Sequence, residues 1–221
     1  MTAAATVKEP SSSPARGLLG LWFQLELLSM SLTKWTLKRT SNPSELPVSL
    51  DEAKRHLRLA LSDTTQDPEL ELLIIAAAER LERDINRQII SATYELTTCE
   101  FGDYILIPVR PVTSISSVQY LDTDGVSQTL TDYRFDEGRQ AIVPNVGETF
   151  PSTVTDSSAV TVSFVAGYGS DADCLPRLIK AAILLCVGKW FFDPAQESSG
   201  LHSSEAAYDR IIRNLTPGIY P

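Results

Sequence analysis

The stretch AVTVSFVAGYGSDADCLPRLIKAAILLCVGKWFF, Ala159 to Phe192, opens as a strand and closes as a helix. Val160, Val162 and Phe164 alternate with Thr161, Ser163 and Val165, the period of a half-buried strand. Gly167 and Gly169 break the alternation, and both tolerate positive φ. Asp173 is the predicted N-cap of the helix, with Pro176 in its first turn. Leu178, Ile179, Ala182, Leu185, Cys186 and Lys189 share one helical face, which Ala181, Leu184, Val187, Trp190 and Phe191 widen. A helix apolar over most of its circumference belongs at the centre of a domain or an assembly, so Trp190 is expected to be buried.

Upstream, two more helices are legible. Ser49 followed by Glu52 is a capping box opening a helix over 50–61, with Leu50, Ala53, Leu57 and Ala60 as its apolar stripe. A polar loop, Ser62–Pro68, leads to a second helix over 68–86, with Asp67 as predicted cap and Pro68 at its first position. Leu70, Leu73, Ile74, Ala77, Leu81 and Ile85 line one face of that helix. The short loop predicts an antiparallel pair.

Between these helices and the opening stretch, alternation and turn signals predict a β-rich insertion over 90–165. Its strands fall near Ile90–Thr97, Tyr104–Ile107, Ser114–Leu121, Ser127–Leu130, Tyr133–Asp136, Ala141–Val143 and Ala159–Val165. Asp122-Thr-Asp-Gly125 reads as a hairpin turn with Gly125 at positive φ. The fold class is therefore α+β: a small bundle of three main helices (50–61, 68–86, 176–192) interrupted by a β insertion and followed by an extended C-terminal tail. Residues 1–46 read as an N-terminal extension, largely disordered or extended, and 47–192 as the principal domain. Residues 193–221 read as a linker and tail with a short amphipathic helix over Glu205–Leu215. Met30 is a second candidate start.

Composition narrows the functional classes. Among 221 residues, the formal net charge is −9, which argues against a basic grip on nucleic acid. The three cysteines, Cys99, Cys174 and Cys186, are far apart and form no C-x-x-C, so neither a disulfide framework nor a zinc site is expected. The apolar run Gly17–Met30 is interrupted by Gln24 and Glu26 and is too short to span a membrane.

No catalytic motif emerges. Gly188-Lys189 lies inside a helix and lacks the phosphate-loop spacing, and Gly167-Tyr-Gly-Ser170 lacks the order of a nucleophile elbow. The two histidines, His56 and His202, have no ligand partners at metal spacing. Asp122, Asp124 and Asp132 with Gly125 do not match a calcium loop, whose glycine is sixth. Lys34, Lys38 and Arg39, with Trp35 between, form a short basic run read as a solvated strand or tail. No catalytic, cofactor or metal residue is assigned, and no cofactor is expected.

Three segments in order resemble the head–tail connector, or adaptor, proteins of long-tailed phages and gene transfer agents. They are VSLDEAKRHLRL (48–59) with the following helix IIAAAERLERDINRQI, LIPVRPVTSISSVQYLDTDG (106–125), and VTVSFVAGYG followed by LPRLIKAAILLCVGKWF. The match spans about 47–192. The resemblance implies a structural virion protein, not an enzyme, located in the neck at the head–tail interface. It implies a ring homo-oligomer, a dodecamer in the virion, below the portal. It also implies a downstream tail or stopper protein as partner, and DNA passing through the lumen without specific binding. No membrane partner is implied. The C-terminal segment of the resembled family engages the portal, which makes Tyr208, Arg210, Ile211, Ile212, Arg213, Leu215, Ile219 and Tyr220 the candidate docking residues. Two other classes remain open from the residues alone: a cytosolic enzyme with an unrecognised carboxylate site, and a nucleic-acid-binding accessory protein.

Overall fold

A computed structural model describes residues 35–43, 45–193 and 202–215, with side chains from 205 in the last segment. Eight strands and four α-helices are present among the described residues. In chain order they are β1 (Trp35–Arg39), α1 (Leu50–Leu57), α2 (Asp67–Ile85), β2 (Ala92–Thr98), β3 (Ile105–Leu106) and β4 (Val112–Leu121). Then follow β5 (Ser127–Thr129), β6 (Tyr133–Asp136), β7 (Ala141–Pro144), β8 (Val160–Ala166), α3 (Arg177–Phe192) and α4 (His202–Leu215). The chain is α+β, as its pattern predicts, with two antiparallel sheets and four described α-helices: the three main ones and a C-terminal helix that begins at His202 and not at Glu205.

Helix α1 begins where the sequence places it. Glu52 N–H donates to Ser49 Oγ at 3.2 Å and Ser49 N–H donates to Glu52 Oε2 at 3.0 Å, a complete capping box. It ends at Leu57, four residues before the predicted end, because Arg58 turns left-handed (φ 61°) and its N–H satisfies the last carbonyls. Ala60 is consequently exposed and off the stripe. Helix α2 buries Leu70, Ile74, Ala77, Leu81 and Ile85 as expected. Its N-cap is Gln66, and Asp67 sits inside the first turn, so the predicted Asp67 cap is not made.

Helix α3 starts after Pro176 without a side-chain cap. Asp173, the predicted cap, lies in a 3₁₀ turn (Ala172–Cys174), and Asp171 instead accepts the N–H groups of Asp173 and Cys174 at 3.0 and 3.2 Å. The buried stripe of α3 is Ile179, Ala182, Ile183, Cys186 and Val187. The face is rotated from the predicted one: Leu178 is 46% exposed and Trp190 is only half-buried against the helical core. An all-round apolar helix gives periodicity little power to choose its inner face.

The five-stranded sheet has the order β1-β2-β8-β4-β5, and the three-stranded sheet β3-β7-β6. Strand β8 is central and buries Val160, Val162, Phe164 and Ala166 on one face. Opposite it, β2 pairs in register, and Tyr94 stacks on Phe164 with ring centroids 5.5 Å apart. Residues of both sheets share one apolar cluster, while α1 to α4 share another. Strand β1, within residues read as an extension, pairs with β2 from Trp35↔Thr98 to Arg39↔Tyr94. The hairpin at Asp122–Gly125 forms as predicted, with Gly125 at φ 77°.

Candidate functional site: a polar groove and the C-terminal helix

The sequence Arg87-Gln88-Ile89-Ile90 carries the chain from the helical layer into β2, and two adjoining clefts open beside it. The larger, about 440 Å³, lies between the segment after β1 and α2; Arg39, Glu71, Ile75, Glu79 and Glu82 contribute to its wall. The smaller, about 310 Å³, shares Arg39 and Glu82 and adds Asn86, Arg87, Gln88 and Tyr94. Glu82 Oε1 accepts from Gln88 Nε2 at 2.7 Å and from Ile89 N–H at 3.0 Å. Burial pushes the Glu82 carboxyl above its usual range, against the Ile89 N–H and the Arg39 charge, which lower it. Gln88 also donates to Ile90 carbonyl at 2.9 Å and accepts from the Tyr94 hydroxyl. Glu82 and Gln88 thus satisfy the backbone where α2 hands over to the sheet. No histidine, cysteine or serine lines either cleft among the described residues, and the Tyr94 hydroxyl in the smaller one is engaged with Gln88.

The C-terminal helix is docked on its own subunit. Tyr208 is 3% exposed, donates to Asp84 Oδ2 at 2.7 Å, and lies under the Arg80 guanidinium, 4.6 Å from the ring centroid. Burial and the Asp84 hydrogen bond push its hydroxyl far above the ordinary range. Glu205 is held by Lys189 Nζ at 2.7 Å and Arg80 Nη2 at 3.4 Å. These cations, the Lys189 hydrogen bond first, lower its carboxyl pKa. Beneath them Cys186 is buried, and its thiol is pushed up to about 11. Of the candidate docking residues, Ile211, Ile212 and Leu215 pack half-buried on the helical core, while Arg210 and Arg213 are exposed. Arg213 Nε donates to Asp209 carbonyl at 3.3 Å. Ile219 and Tyr220 lie outside the described residues, as do the extension 1–34 and most of the linker read over 193–204.

The remaining sequence candidates resolve into structure. Gly167 (φ +140°) runs so close to the chain entering β2 that an added Cβ would lie 2.5 Å from Ser91 Cα. The turn is locked by Tyr168 N–H to Ile89 carbonyl at 3.0 Å and Ser91 N–H to Gly169 carbonyl at 2.8 Å. The Asp122 carboxylate accepts from Asp124 and Val126 N–H groups at 3.0 and 2.9 Å and from Gln128 at 3.0 Å, a self-satisfied hairpin. Lys189 is committed to Glu205. His56 is exposed, and the His202 side chain lies outside the described residues. No cluster of three or more histidine, cysteine or acidic residues fit to hold a metal occurs among the described residues. No described helix is long and apolar enough to cross a membrane. Cys99, Cys174 and Cys186 are free thiols.

Sequence reasoning missed the Lys54–Asp67 pair. Lys54 is 3% exposed overall, and its Nζ lies 2.5 Å from Asp67 Oδ1. A lysine on α1 carried no sequence signal of burial, because its partner sits across the loop that the pair closes.

No family model matches this chain, and no curated protein matches it. Solved structures do. A chain in the neck of an empty gene transfer agent particle, computed with C6 symmetry, superposes with a TM-score of 0.68 at 18% identity. A chain in the neck of the native particle, computed with C12 symmetry, gives 0.67 at 21% identity, and one in the native virion gives 0.66 at 18%. Each match covers 84% of this chain and 97% of the other. The fold is that of a chain found in particle necks, and it accounts for almost the whole of that chain.

Proposed function

We propose that the protein is a structural subunit of a phage-like or gene transfer agent virion, a head–tail adaptor in the neck. The observation that carries this is the fold shared over 97% of the neck chain, without a large domain of that chain left over. Neck structures computed with C6 and C12 symmetry support a ring of copies; in this reading the ring holds twelve copies and sits below the portal and above a tail or stopper protein. The formal charge of −9 suits a ring that lets DNA pass without gripping it, since like charge repels phosphate. The role is architectural and not enzymatic: the two clefts commit their buried polar groups to the fold.

Docking to the portal falls to the C-terminal segment. Within it Tyr208 works inside the subunit, so the contact is left to Arg210 and Arg213 on the exposed side of α4 and to the residues past Leu215. Two guanidinium groups on one exposed face suit carboxylates on the portal. Electron microscopy of the purified protein mixed with portal tests the reading. Rings seated on the portal are expected; portal particles that stay bare at saturating protein overturn it.

A further inference from the structure

Strands β1 and β5 are the outer strands of the five-stranded sheet, and each leaves one backbone edge unpaired among the described residues. On β1, Thr40 N–H bonds Thr93 carbonyl at 2.8 Å, so by the alternation of an antiparallel ladder Lys38 and Thr36 also face β2. Leu37 and Arg39 then turn their backbone groups outward. On β5, Leu130 N–H bonds Val118 carbonyl at 2.8 Å and Asp122 N–H bonds Val126 carbonyl at 3.0 Å. Ser127 and Thr129 are therefore the outward-facing residues of that edge.

The two edges are complementary in charge and in apolar surface. Residues 35–43 carry no acid and two exposed cations, of which Lys38 is the one on offer, since Arg39 is turned to Glu82 and Tyr94 in the clefts. Asp124 and Asp132, both exposed, flank β5. Each edge also begins with an exposed apolar side chain, Trp35 at 46% and Val126 at 55%. Every neighbouring pair in the sheet is antiparallel, so β1 and β5 run in the same direction. A small rotation between copies preserves that direction. Laid side by side in parallel, Trp35 falls beside Val126 at one end, and Lys38 falls beside the chain leading to Asp132 at the other.

We propose that β1 of one copy adds in parallel to β5 of the next, the head-to-tail contact between subunits. This rests on the ring-forming reading above. A heterologous contact of this kind closes into a ring when its rotation permits, and it then leaves the five-stranded sheet no open edge. Backbone bonds supply affinity, while the terminal charge and apolar pairs set register.

The test is concentration-dependent association of the full chain, read by sedimentation velocity, with melting and circular dichroism as fold controls. Lys38→Glu and Asp132→Lys are each expected to weaken association about threefold to tenfold, and the double variant to restore it. Thr129→Pro removes an outward N–H while sparing the ladder to β4, and is expected to abolish association without loss of fold. Association that is indifferent to all these changes places the contact elsewhere and overturns the edge pairing, leaving the neck reading intact. A chain that stays monomeric at every concentration also overturns the edge pairing; the neck reading is then decided separately by the portal experiment.

Discussion

Tyr208 Oη and Asp84 Oδ2, 2.7 Å apart, join α4 to α2 over a separation of 124 residues. Arg80 closes the arrangement from both sides, stacking on the Tyr208 ring and lying 3.5 Å from the same Asp84 oxygen. The C-terminal helix is thus held by a charge-assisted hydrogen bond and a buried aromatic ring. Tyr208→Phe keeps the ring and is expected to cost about 1.5–3 kcal/mol, the range for a hydrogen bond to a charged group. Tyr208→Ala also empties the site and is expected to cost about 3–5 kcal/mol. Urea denaturation of the two variants checks the order.

The Lys54–Asp67 pair closes the loop between α1 and α2. Removing one partner of a buried ion pair strands the other, so Lys54→Ala is expected to cost about 3–5 kcal/mol. Lys54→Met fills the same space, but it too leaves Asp67 without its cation; only the Lys54→Met, Asp67→Leu double variant is expected to approach wild-type stability. Arg134→Ala, at an exposed position, should stay within about 0.5 kcal/mol. Equal losses for Arg134→Ala and Lys54→Ala would show that the pair is solvated.

Gly167→Ala is expected to destabilise by about 2–4 kcal/mol, because both its positive φ and the Ser91 backbone oppose a side chain. Gly169→Ala meets Cys174 instead, where a Cβ would lie 2.3 Å from Cys174 Cβ. Gly169 has no positive φ and the Cys174 it meets is exposed, so only one of the two costs applies and the smaller loss is expected there. Thermal melts of the two variants distinguish a backbone constraint from a yielding one.

Glu82 makes stability depend on pH. Its folded pKa lies above the ordinary carboxyl value of about 4.5 because burial disfavours the charged form. The folded state therefore binds the proton more tightly than the unfolded state. The associated stability is fully present below the unfolded pKa and is lost as pH rises through the folded one. Glu82→Gln keeps an oxygen to accept from Ile89 and Gln88 but stays neutral. Its stability relative to wild type is expected to rise as pH is raised from 4.5 toward 8, measured by melting temperature. A constant difference across that range would show that Glu82 is as well solvated folded as unfolded.

The parts of the fold with local signals were readable. The capping box at Ser49 and Glu52, the α2 stripe and the Asp122 hairpin each depend on residues close in sequence, and each formed as predicted. The errors arose where distant partners decide. Strand β1 falls in a basic run that reads as a solvated strand or a tail, and only its pairing with β2 decides between the two. The inner face of α3 was set by α1, α2 and α4 together, which a helix apolar on all sides does not disclose. Within the candidate site, the amphipathic pattern over Glu205–Leu215 predicted a helix, but not that Tyr208 would be taken up by Asp84 and Arg80.

That placement changes how the C-terminal segment is best probed. A chain ending at Ser204 would lose Tyr208 and uncover Cys186 and the adjoining faces of α2 and α3, so a lost partner contact would be confounded by a weakened fold. The exposed side of α4 offers a cleaner probe. Arg210→Glu with Arg213→Glu alters two exposed guanidinium groups and no core contact. Helix content and melting are expected to stay within about 0.5 kcal/mol of wild type. Portal capture at low salt is expected to fall by about tenfold or more, since reversing a charge replaces attraction with repulsion. A chain ending at Leu215 retains α4 and removes only the residues past it, which separates their part from that of the arginines. Capture that falls with the truncation alone assigns docking to the tail, and capture that falls with the charge reversal alone assigns it to α4. Undiminished capture by both together removes the C-terminal segment from the portal contact and leaves docking to another face of the subunit.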